Sequence, residues 1–201
     1  MEHEPGRIVG LYQRHARAFD RDRARVLVER PWLDALLALV PPGGSVLDIG
    51  CGMGEPIAAY LLAQGRRVTG IDAAPAMIEL CRERFPGADW RVADMRGLRL
   101  GRTFDGVIAW DSFFHLDRDA QRATIPVLAA HAAPGAPLLF TSGPREGVAM
   151  GVYEGEPLFH ASLAPEEYRA LLREAGFGVL DHRSEDPACG GRTIWLARRM
   201  G

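Results

Sequence analysis

The chain has 201 residues with 24 basic and 26 acidic side chains, a formal net charge of −2, and all of its basic residues are arginine. The absence of lysine excludes Schiff-base chemistry on a lysine and the lysine-bearing phosphate-binding P-loop. The absence of asparagine excludes an N-glycosylation site. Because 47% of the residues are hydrophobic and 25% are charged, the composition predicts a soluble globular protein with residues 1–201 in a single domain.

Cysteine usage and the first residues indicate a reducing compartment. Cys51, Cys81 and Cys189 are widely spaced and form no Cys-x-x-Cys pair, so neither a disulfide framework nor a metal site is expected. The first residues, MEHEP, are acidic and lack the apolar core of a signal peptide. The abundance of arginine, alanine, glycine and proline is typical of GC-rich bacterial coding. We therefore expect a bacterial, cytoplasmic protein that does not span a membrane.

Hydrophobic periodicity predicts two helices first, over residues 8–19 and 32–40, and the sequence Pro-Pro-Gly-Gly then ends the second. From there strands and helices alternate, with strands predicted over 45–49, 67–72, 90–93, 104–110 and 137–142 and helices over 55–63, 75–85, 117–133 and 165–175. The last strands, 178–183 and 192–198, are joined by a turn that only antiparallel strands allow. The pattern predicts a doubly wound, mostly parallel α/β sheet over residues 43–201, with a helical cap over 1–42.

A glycine-rich loop is the most specific motif. Asp48-Ile49-Gly50-Cys51-Gly52-Met53-Gly54 follows an apolar strand and precedes a helix, and ligands of such sheets bind at the carboxyl ends of the strands. A dinucleotide fingerprint requires its third glycine where Glu55 stands. A pyrophosphate beside Asp48 and Glu55 would be repelled, because no basic group offsets them. A cationic ligand without phosphate, such as S-adenosylmethionine, fits this loop better.

Two further acids end the next two strands. Asp72 can accept hydrogen bonds from both ribose hydroxyls, and Asp94 can accept one from an adenine amino group. Each also has a structural interpretation, Asp72 as a helix cap before Pro75 and Asp94 as a cap or turn residue. Together with the glycine loop, the two acids predict a site for an adenosyl cofactor.

At these residues the sequence resembles the class I S-adenosylmethionine-dependent methyltransferases, over residues 45–198 and with a helical cap in front. The resemblance implies a seven-stranded sheet of order 3-2-1-4-5-7-6 with the last strand antiparallel. It implies S-adenosylmethionine as the cofactor and transfer of its methyl group to a small molecule.

The resemblance also implies roles for individual residues. Asp48 would anchor the glycine loop, and Asp72 would hold the ribose. The remaining cofactor neighbours would be Gly50, Cys51, Gly52 and Gly54 at the methionine part, Ala73, Met77, Asp94 and Met95 at the adenine, and Trp110 facing the reacting methyl group. Met77 is also explained by core packing. On the first helix, Tyr12, His15 and Phe19 are candidates for a lid over the cofactor, and core packing explains Tyr12 and Phe19 equally well.

The acceptor side is predicted from the segments after the fourth and fifth strands. His115 is a candidate general base near neutral pH, although packing between helix and sheet with local hydrogen bonds is the favoured interpretation. Asp111 is a candidate for holding a polar group of the acceptor or the amino end of the cofactor. Residues 142–162 are predicted as a long irregular loop. His160 in this loop is a candidate acceptor ligand or base, and a surface or capping role is the alternative.

Other partners and functions are less consistent with the sequence. The slight negative charge disfavours a nucleic-acid acceptor, and Trp110-Asp111-Ser112-Phe113 stands where amino-group DNA and RNA methylases carry their Pro-Pro signature. Two alternatives remain open: an aminopropyl transferase of the same fold and a non-catalytic S-adenosylmethionine-binding regulator. The accepting atom and the oligomeric state are not specified by the sequence.

Overall fold

The computed structural model describes residues 6–201, so the acidic N-terminal segment, for which no signal peptide is predicted, lies outside the described residues. The helices are α1 (Gly6–Asp22), α2 (Arg30–Leu37), α3 (Ile57–Ala63), α4 (Pro75–Arg84), α5 (Arg118–His131) and α6 (Pro165–Glu174). The strands are β1 (Ser45–Ile49), β2 (Arg67–Asp72), β3 (Asp89–Val92), β4 (Gly106–Ala109), β5 (Pro137–Ser142), β6 (Gly147–Tyr153), β7 (Glu156–Ser162), β8 (Phe177–Asp186) and β9 (Arg192–Arg199).

Seven strands form one sheet of order β3-β2-β1-β4-β5-β9-β8. The first five of these are parallel, whereas β9 is antiparallel to both β5 and β8. Since β8 and β9 are the sixth and seventh predicted strands, the order 3-2-1-4-5-7-6 is confirmed. The central strands β4 and β5 are buried throughout, as expected where helices cover both faces of a parallel sheet.

Helices pack on both faces of the sheet around two apolar clusters. One cluster combines α5 and α6 with the sheet and includes Ile125, Tyr168 and Trp195. The other combines α2, α3 and α4 with the sheet and includes Leu36 and Leu61. The predicted layers are therefore present, and the carboxyl edge of the parallel strands stays open for a site. Among the described residues, no helix combines the length and the apolar character that crossing a membrane requires.

The prediction of an irregular loop over residues 142–162 is wrong. This segment forms the antiparallel hairpin β6–β7, a separate two-stranded sheet. Glu154 and Gly155 form its turn with φ of 51° and 77°, the left-handed backbone that a tight hairpin turn requires. The signal was present as alternation of Val148, Met150 and Val152 with small residues, but three glycines masked it.

The first helix covers the open edge of the sheet. It is longer than predicted, and its helical geometry is interrupted at His15, with φ −108° and ψ 17°. Gln13 accepts a hydrogen bond from the amide of Ala76 at the start of α4, at 2.9 Å, while Ile8 packs against Phe159 of β7. The helix therefore bridges the main sheet and the hairpin above the site.

Candidate functional site

Two adjoining clefts lie at the carboxyl edge of the sheet, with volumes of about 800 Å³ and about 1250 Å³. The predicted site residues that line the first cleft are Tyr12, Gly50, Gly52, Asp72, Ala73, Met77, Asp94, Met95, Asp111 and His115. Those lining the second cleft are Asp48, Cys51, Trp110 and His160, and Tyr12, Gly50, Gly52, Asp111 and His115 line both clefts. The clefts therefore meet at a short boundary made by α1, the glycine loop and the turn after β4.

Left-handed backbone shapes the glycine loop. Gly50 and Gly52 have φ of 70° and 55°, which side chains other than glycine rarely adopt. A Cβ on Gly50 would also collide with the Cβ of Ser112. Gly54 lies in neither cleft, because its backbone faces Phe85 and Cys81. Gly50 thus allows Ser112 to pack against the loop, Gly52 leaves the loop open toward the clefts, and Gly54 allows close packing of α4.

Asp72 combines the two interpretations that the sequence left open. Its carboxylate accepts hydrogen bonds from the amide of Gly52 at 3.1 Å and from the amide of Ala74, just before α4, at 2.8 Å. A carboxylate has acceptor capacity beyond these two bonds, and this one lines the first cleft. Burial raises its pKa to about 6, while the amide hydrogen bonds oppose that rise. Asp72 is therefore both a brace for the loop and an open acceptor.

Asp48 places a second carboxylate behind the loop. It is 3% exposed and lines the second cleft. Burial, and then the charge of Asp72, raise its pKa to about 7. A cation bound beside these two carboxylates would favour their ionised forms. The loop is accordingly suited to a positively charged ligand.

Asp94 lies at the first cleft but is engaged by a neighbour. Its side chain accepts from the amide of Arg96 at 2.9 Å and from the Arg96 guanidinium at 2.5 to 3.0 Å. Hydrogen bonding to Arg96 lowers the pKa of Asp94. Asp94 thus caps the short turn that follows β3, and Met95 and Ala73 supply apolar surface nearby.

His115 is 8% exposed at the boundary of the clefts. Its Nδ1 lies 2.9 Å from the carbonyl oxygen of Phe159, and its Nε2 lies 3.1 Å from the hydroxyl of Tyr12. A carbonyl only accepts, so Nδ1 carries the proton and Nε2 presents a lone pair. Burial lowers the pKa of His115 to about 4. The imidazole is therefore neutral at neutral pH and accepts a hydrogen bond at Nε2, and the lowered pKa makes it a weaker base than the sequence predicts.

Asp111 is bound by an arginine that the sequence did not point to. Arg192, at the start of β9, donates to both of its carboxylate oxygens at 2.8 to 3.0 Å. Arg23 lies 3.7 Å from the same carboxylate and donates to the buried Glu29 at 2.9 Å. These four side chains balance two positive and two negative charges, and Arg23, Asp111 and Arg192 line the second cleft. Both carboxylate oxygens of Asp111 are therefore engaged by Arg192 before any ligand binds.

His160 faces the second cleft from the hairpin. Its ring lies 4.9 Å from Phe114 and 4.9 Å from His115, so both predicted histidines meet although β7 and the turn after β4 are distant in the chain. Burial lowers the pKa of His160. Trp110 also lines this cleft, and its buried Nε1 has no hydrogen-bond partner among residues 6–201.

Gln121 is a further residue that sequence reasoning missed. It is fully buried on α5, and its amide donates to the carbonyls of Leu116 at 2.8 Å and Ala161 at 2.9 Å. These carbonyls lie one residue beyond His115 and His160, so Gln121 ties together the two segments that carry the histidines. The signal was a lone glutamine in an apolar helical face, which is consistent with a satisfied buried amide.

Ion pairs clasp α1 to the hairpin. Glu156 of β7 is bound by the guanidinium of Arg14 and by Nε2 of His15 at 2.7 Å. Tyr153 packs edge-on against His15 and Phe19. Tyr12 and Phe19 of α1 line both clefts. The contacts between α1 and the hairpin therefore hold these two side chains over the site.

The sequence is similar to those of known methyltransferases. Residues 46–135 match the family model described as "Methyltransferase domain". The sequence is 29% identical over 166 residues to an O-methyltransferase of Pyrenophora dematioidea, covering 76% of this chain and 61% of that protein. The chain thus spans about three-fifths of the length of that relative. With the fold and the glycine loop, these matches show that the chain is similar to the class I S-adenosylmethionine-dependent methyltransferases.

Solved structures share the fold over nearly the whole chain. An amino pentose methyltransferase from Micromonospora echinaspora superposes with a TM-score of 0.72 at 23% identity, covering 94% of this chain and 97% of that one. The 1,6-didemethyltoxoflavin-N1-methyltransferase of Burkholderia thailandensis superposes with a TM-score of 0.74 at 21% identity, covering 100% and 92%. At these identities the likeness establishes the Rossmann-like methyltransferase fold.

Proposed function

We propose that this protein transfers the methyl group of S-adenosylmethionine to a small-molecule acceptor. The observation that carries the proposal is the junction of the two clefts. One cleft has a glycine loop and buried carboxylates, which suit a cationic adenosyl ligand. The other opens beside it past Tyr12 and a neutral His115. Within this proposal, residues 1–42 cap the 43–201 core as parts of one methyltransferase domain.

The residues present fit this cofactor. Gly52 lines both clefts, and among the described residues beyond its chain neighbours only Phe19 has an atom within 4 Å of a Cβ there. Asp48 and Asp72 provide negative charge where the cofactor is positive. In the proposal, Asp72 holds the ribose, Ala73 and Met77 pack near the adenine, and Asp94 and Met95 border its edge. When bound, S-adenosylmethionine supplies an electrophilic methyl group with a good leaving group already in place.

On the protein side, the work is alignment, exclusion of water and acceptance of a proton. The carbonyl of Phe159 holds the His115 proton on Nδ1, so Nε2 receives the proton of an acceptor hydroxyl or amine. Tyr12 occupies that lone pair and must yield to the acceptor. Asp111 holds Arg192 in place beside the acceptor, and His160 offers a second polar contact.

Calorimetry tests the cofactor claim. S-adenosylmethionine should bind with measurable heat, whereas NAD, which carries a pyrophosphate, should not bind. Equal binding of NAD would contradict the assignment. An acceptor screen that follows release of S-adenosylhomocysteine then tests catalysis. Cofactor binding without release for any acceptor would favour a regulatory role, and turnover with decarboxylated S-adenosylmethionine and a polyamine would favour aminopropyl transfer.

The proposal also covers the setting of the reaction. The relatives include O- and N-methyltransferases, so the accepting atom is left to the screen. The net charge of −2 supports a small molecule over a nucleic acid as acceptor. The arginine-rich, lysine-free composition supports a bacterial source, and the scattered free cysteines support a cytoplasmic location.

A further inference from the structure

Three rings form one wall of the second cleft, which we call the ring wall: Phe114, His115 and His160. Their centroids are 5.0, 4.9 and 4.9 Å apart, so each ring touches the other two. Leu158 and Pro144 extend the same cleft with apolar surface. Such a surface favours a flat ring that packs against aromatic faces and edges.

The charged groups on this cleft are already matched. Arg192 is held by Asp111 through two oxygens, and Arg23 is held by Glu29. An anionic acceptor would have to compete with these carboxylates for the guanidinium groups, and breaking a half-buried pair is costly. Neither arginine therefore serves as the recognition point for an acceptor carboxylate or phosphate.

The remaining carboxylates do not provide an ammonium site. Glu55 accepts from Arg25 at 3.0 Å and lies 3.8 Å from Arg84. Glu185 is exposed, where solvent and salt weaken its attraction for a cation. Asp48 is the carboxylate assigned above to the cofactor.

The ring wall offers acceptor nitrogens to a ligand. His115 Nε2 carries a lone pair, which the Tyr12 hydroxyl engages until a ligand displaces it. The neutral imidazole of His160 has one N–H and one acceptor nitrogen, and its side chain makes no hydrogen bond to another described residue. Burial lowers the pKa of both histidines, so both rings are uncharged at neutral pH. They suit a group that donates one O–H or N–H bond.

We infer that the acceptor is an uncharged aromatic or heteroaromatic molecule that packs on the ring wall and donates its hydroxyl or ring N–H to His115. The inference rests on the proposed function and names the substrate class of the same site. Phe114 and His160 then select the acceptor through ring contacts.

Binding of matched probes tests this inference without requiring turnover. The full chain saturated with S-adenosylhomocysteine is titrated by calorimetry with 2-naphthol, 2-naphthoate and 2-(aminomethyl)naphthalene. We expect 2-naphthol to bind at least tenfold more tightly than either charged probe. Phe114→Ala and His160→Ala should each weaken 2-naphthol binding at least fivefold and change the Kd of S-adenosylhomocysteine less than twofold. His182→Ala, a histidine on β8 outside both clefts, is the matched control and should change neither.

The outcomes distinguish failure of the inferred acceptor class from failure of the proposed function. If S-adenosylhomocysteine binds but naphthoate or the ammonium probe binds as tightly as naphthol, the inference is wrong and the proposed function stands. The same holds if Phe114→Ala and His160→Ala leave naphthol binding unchanged, or if no probe binds. If S-adenosylhomocysteine itself does not bind, the proposed function fails and the inference fails with it.

Discussion

The glycine-loop end of the site and the ring-wall end are assembled differently. At the first, Gly52 and Asp72 are 20 residues apart, and the amides of Gly50 and Cys51 donate to the carbonyl of Ile71. At the second, Tyr12 meets His115 across 103 residues, and Asp111 meets Arg192 across 81. One end thus depends on the backbone of a single β-α-β unit, whereas the other depends on side chains from four distant segments.

The two ends also differ in the direction in which burial shifts the pKa values of their side chains. At the glycine loop, burial raises the pKa of Asp48 to about 7 and that of Asp72 to about 6. At the ring wall, burial lowers the pKa of His115 to about 4. As the pH falls, Asp48 and Asp72 therefore become protonated and neutral early, whereas His115 stays neutral until the pH approaches 4. The comparison predicts opposite responses to pH and different responses to backbone substitution.

The largest expected effect is the loss of stability caused by a side chain on a glycine of the loop. Gly50→Ala should lower the free energy of unfolding by about 2–5 kcal/mol, since it adds left-handed strain and a collision with Ser112. Gly52→Ala is the matched control, because its Cβ would meet only Phe19 at 3.7 Å, and should cost about 1–2 kcal/mol. Urea denaturation measures both. Equal losses of unfolding free energy in the two variants would show that the collision with Ser112 is not the reason for glycine at position 50.

His115 should make stability fall with acidification. Its pKa is about 4 in the folded protein, below the ordinary 6.5, so the unfolded chain takes up the proton first as pH falls. The stabilisation is therefore complete above pH 6.5 and declines toward pH 4, by about 3 kcal/mol in total. His115→Gln should remove this component from the pH dependence of unfolding.

Asp48 and Asp72 work in the opposite direction over the same range, so the comparison is made between the wild type and His115→Gln rather than on the wild type alone. His182→Gln controls for loss of a histidine elsewhere. An unchanged pH slope in His115→Gln would mean that His115 is not held neutral by burial.

Asp72→Ala should weaken S-adenosylmethionine binding by about 1–3 kcal/mol at pH 8, because it leaves charge-assisted hydrogen bonds unmade. In the wild type, affinity should fall between pH 8 and pH 5 as Asp48 and Asp72 become protonated. Calorimetry across this range measures both effects. Asp89→Ala, an acid on β3 away from both clefts, is the control, and an unchanged affinity in Asp72→Ala would remove Asp72 from the site.

The smallest expected effect concerns a single hydroxyl. Tyr12→Phe removes the hydrogen bond to His115 and should cost about 0.5–1.5 kcal/mol of stability. It should also raise the pKa of His115, observed by NMR titration, because the bond favours the neutral imidazole. Tyr153→Phe is the matched control, since the buried hydroxyl of Tyr153 has no partner among the described residues. A larger loss in Tyr153→Phe would contradict this account.

The glycine-loop end could be predicted almost completely from the sequence. Its chemistry lies in a contiguous motif and in an acid at the end of the next strand, and the order of βα units fixes where these meet. Even the ambiguity of Asp72 was informative, because the carboxylate braces the loop and still faces the cleft. The seven-strand order followed from the family resemblance and is confirmed.

The ring-wall end could be predicted only as a set of candidate residues. His115 and His160 were singled out separately, but their contact depends on the β6–β7 hairpin, which was predicted as a loop. Arg192 carried no signal, since nothing in one sequence indicates which arginine will meet Asp111. Long-range side-chain pairing of this kind is set by tertiary packing, and local patterns do not encode it.

The hydrogen bond from His115 to residue 159 has a consequence for mutational scans. The acceptor is the main-chain carbonyl of Phe159, and every amino acid supplies that oxygen. Substitutions at 159 will therefore be tolerated or rejected according to how well they pack against Ile8. The position will be classified as structural, although its backbone determines which nitrogen of His115 is free to act. Replacing the 159–160 amide by an ester through chemical synthesis would weaken that acceptor and expose the role that side-chain genetics hides.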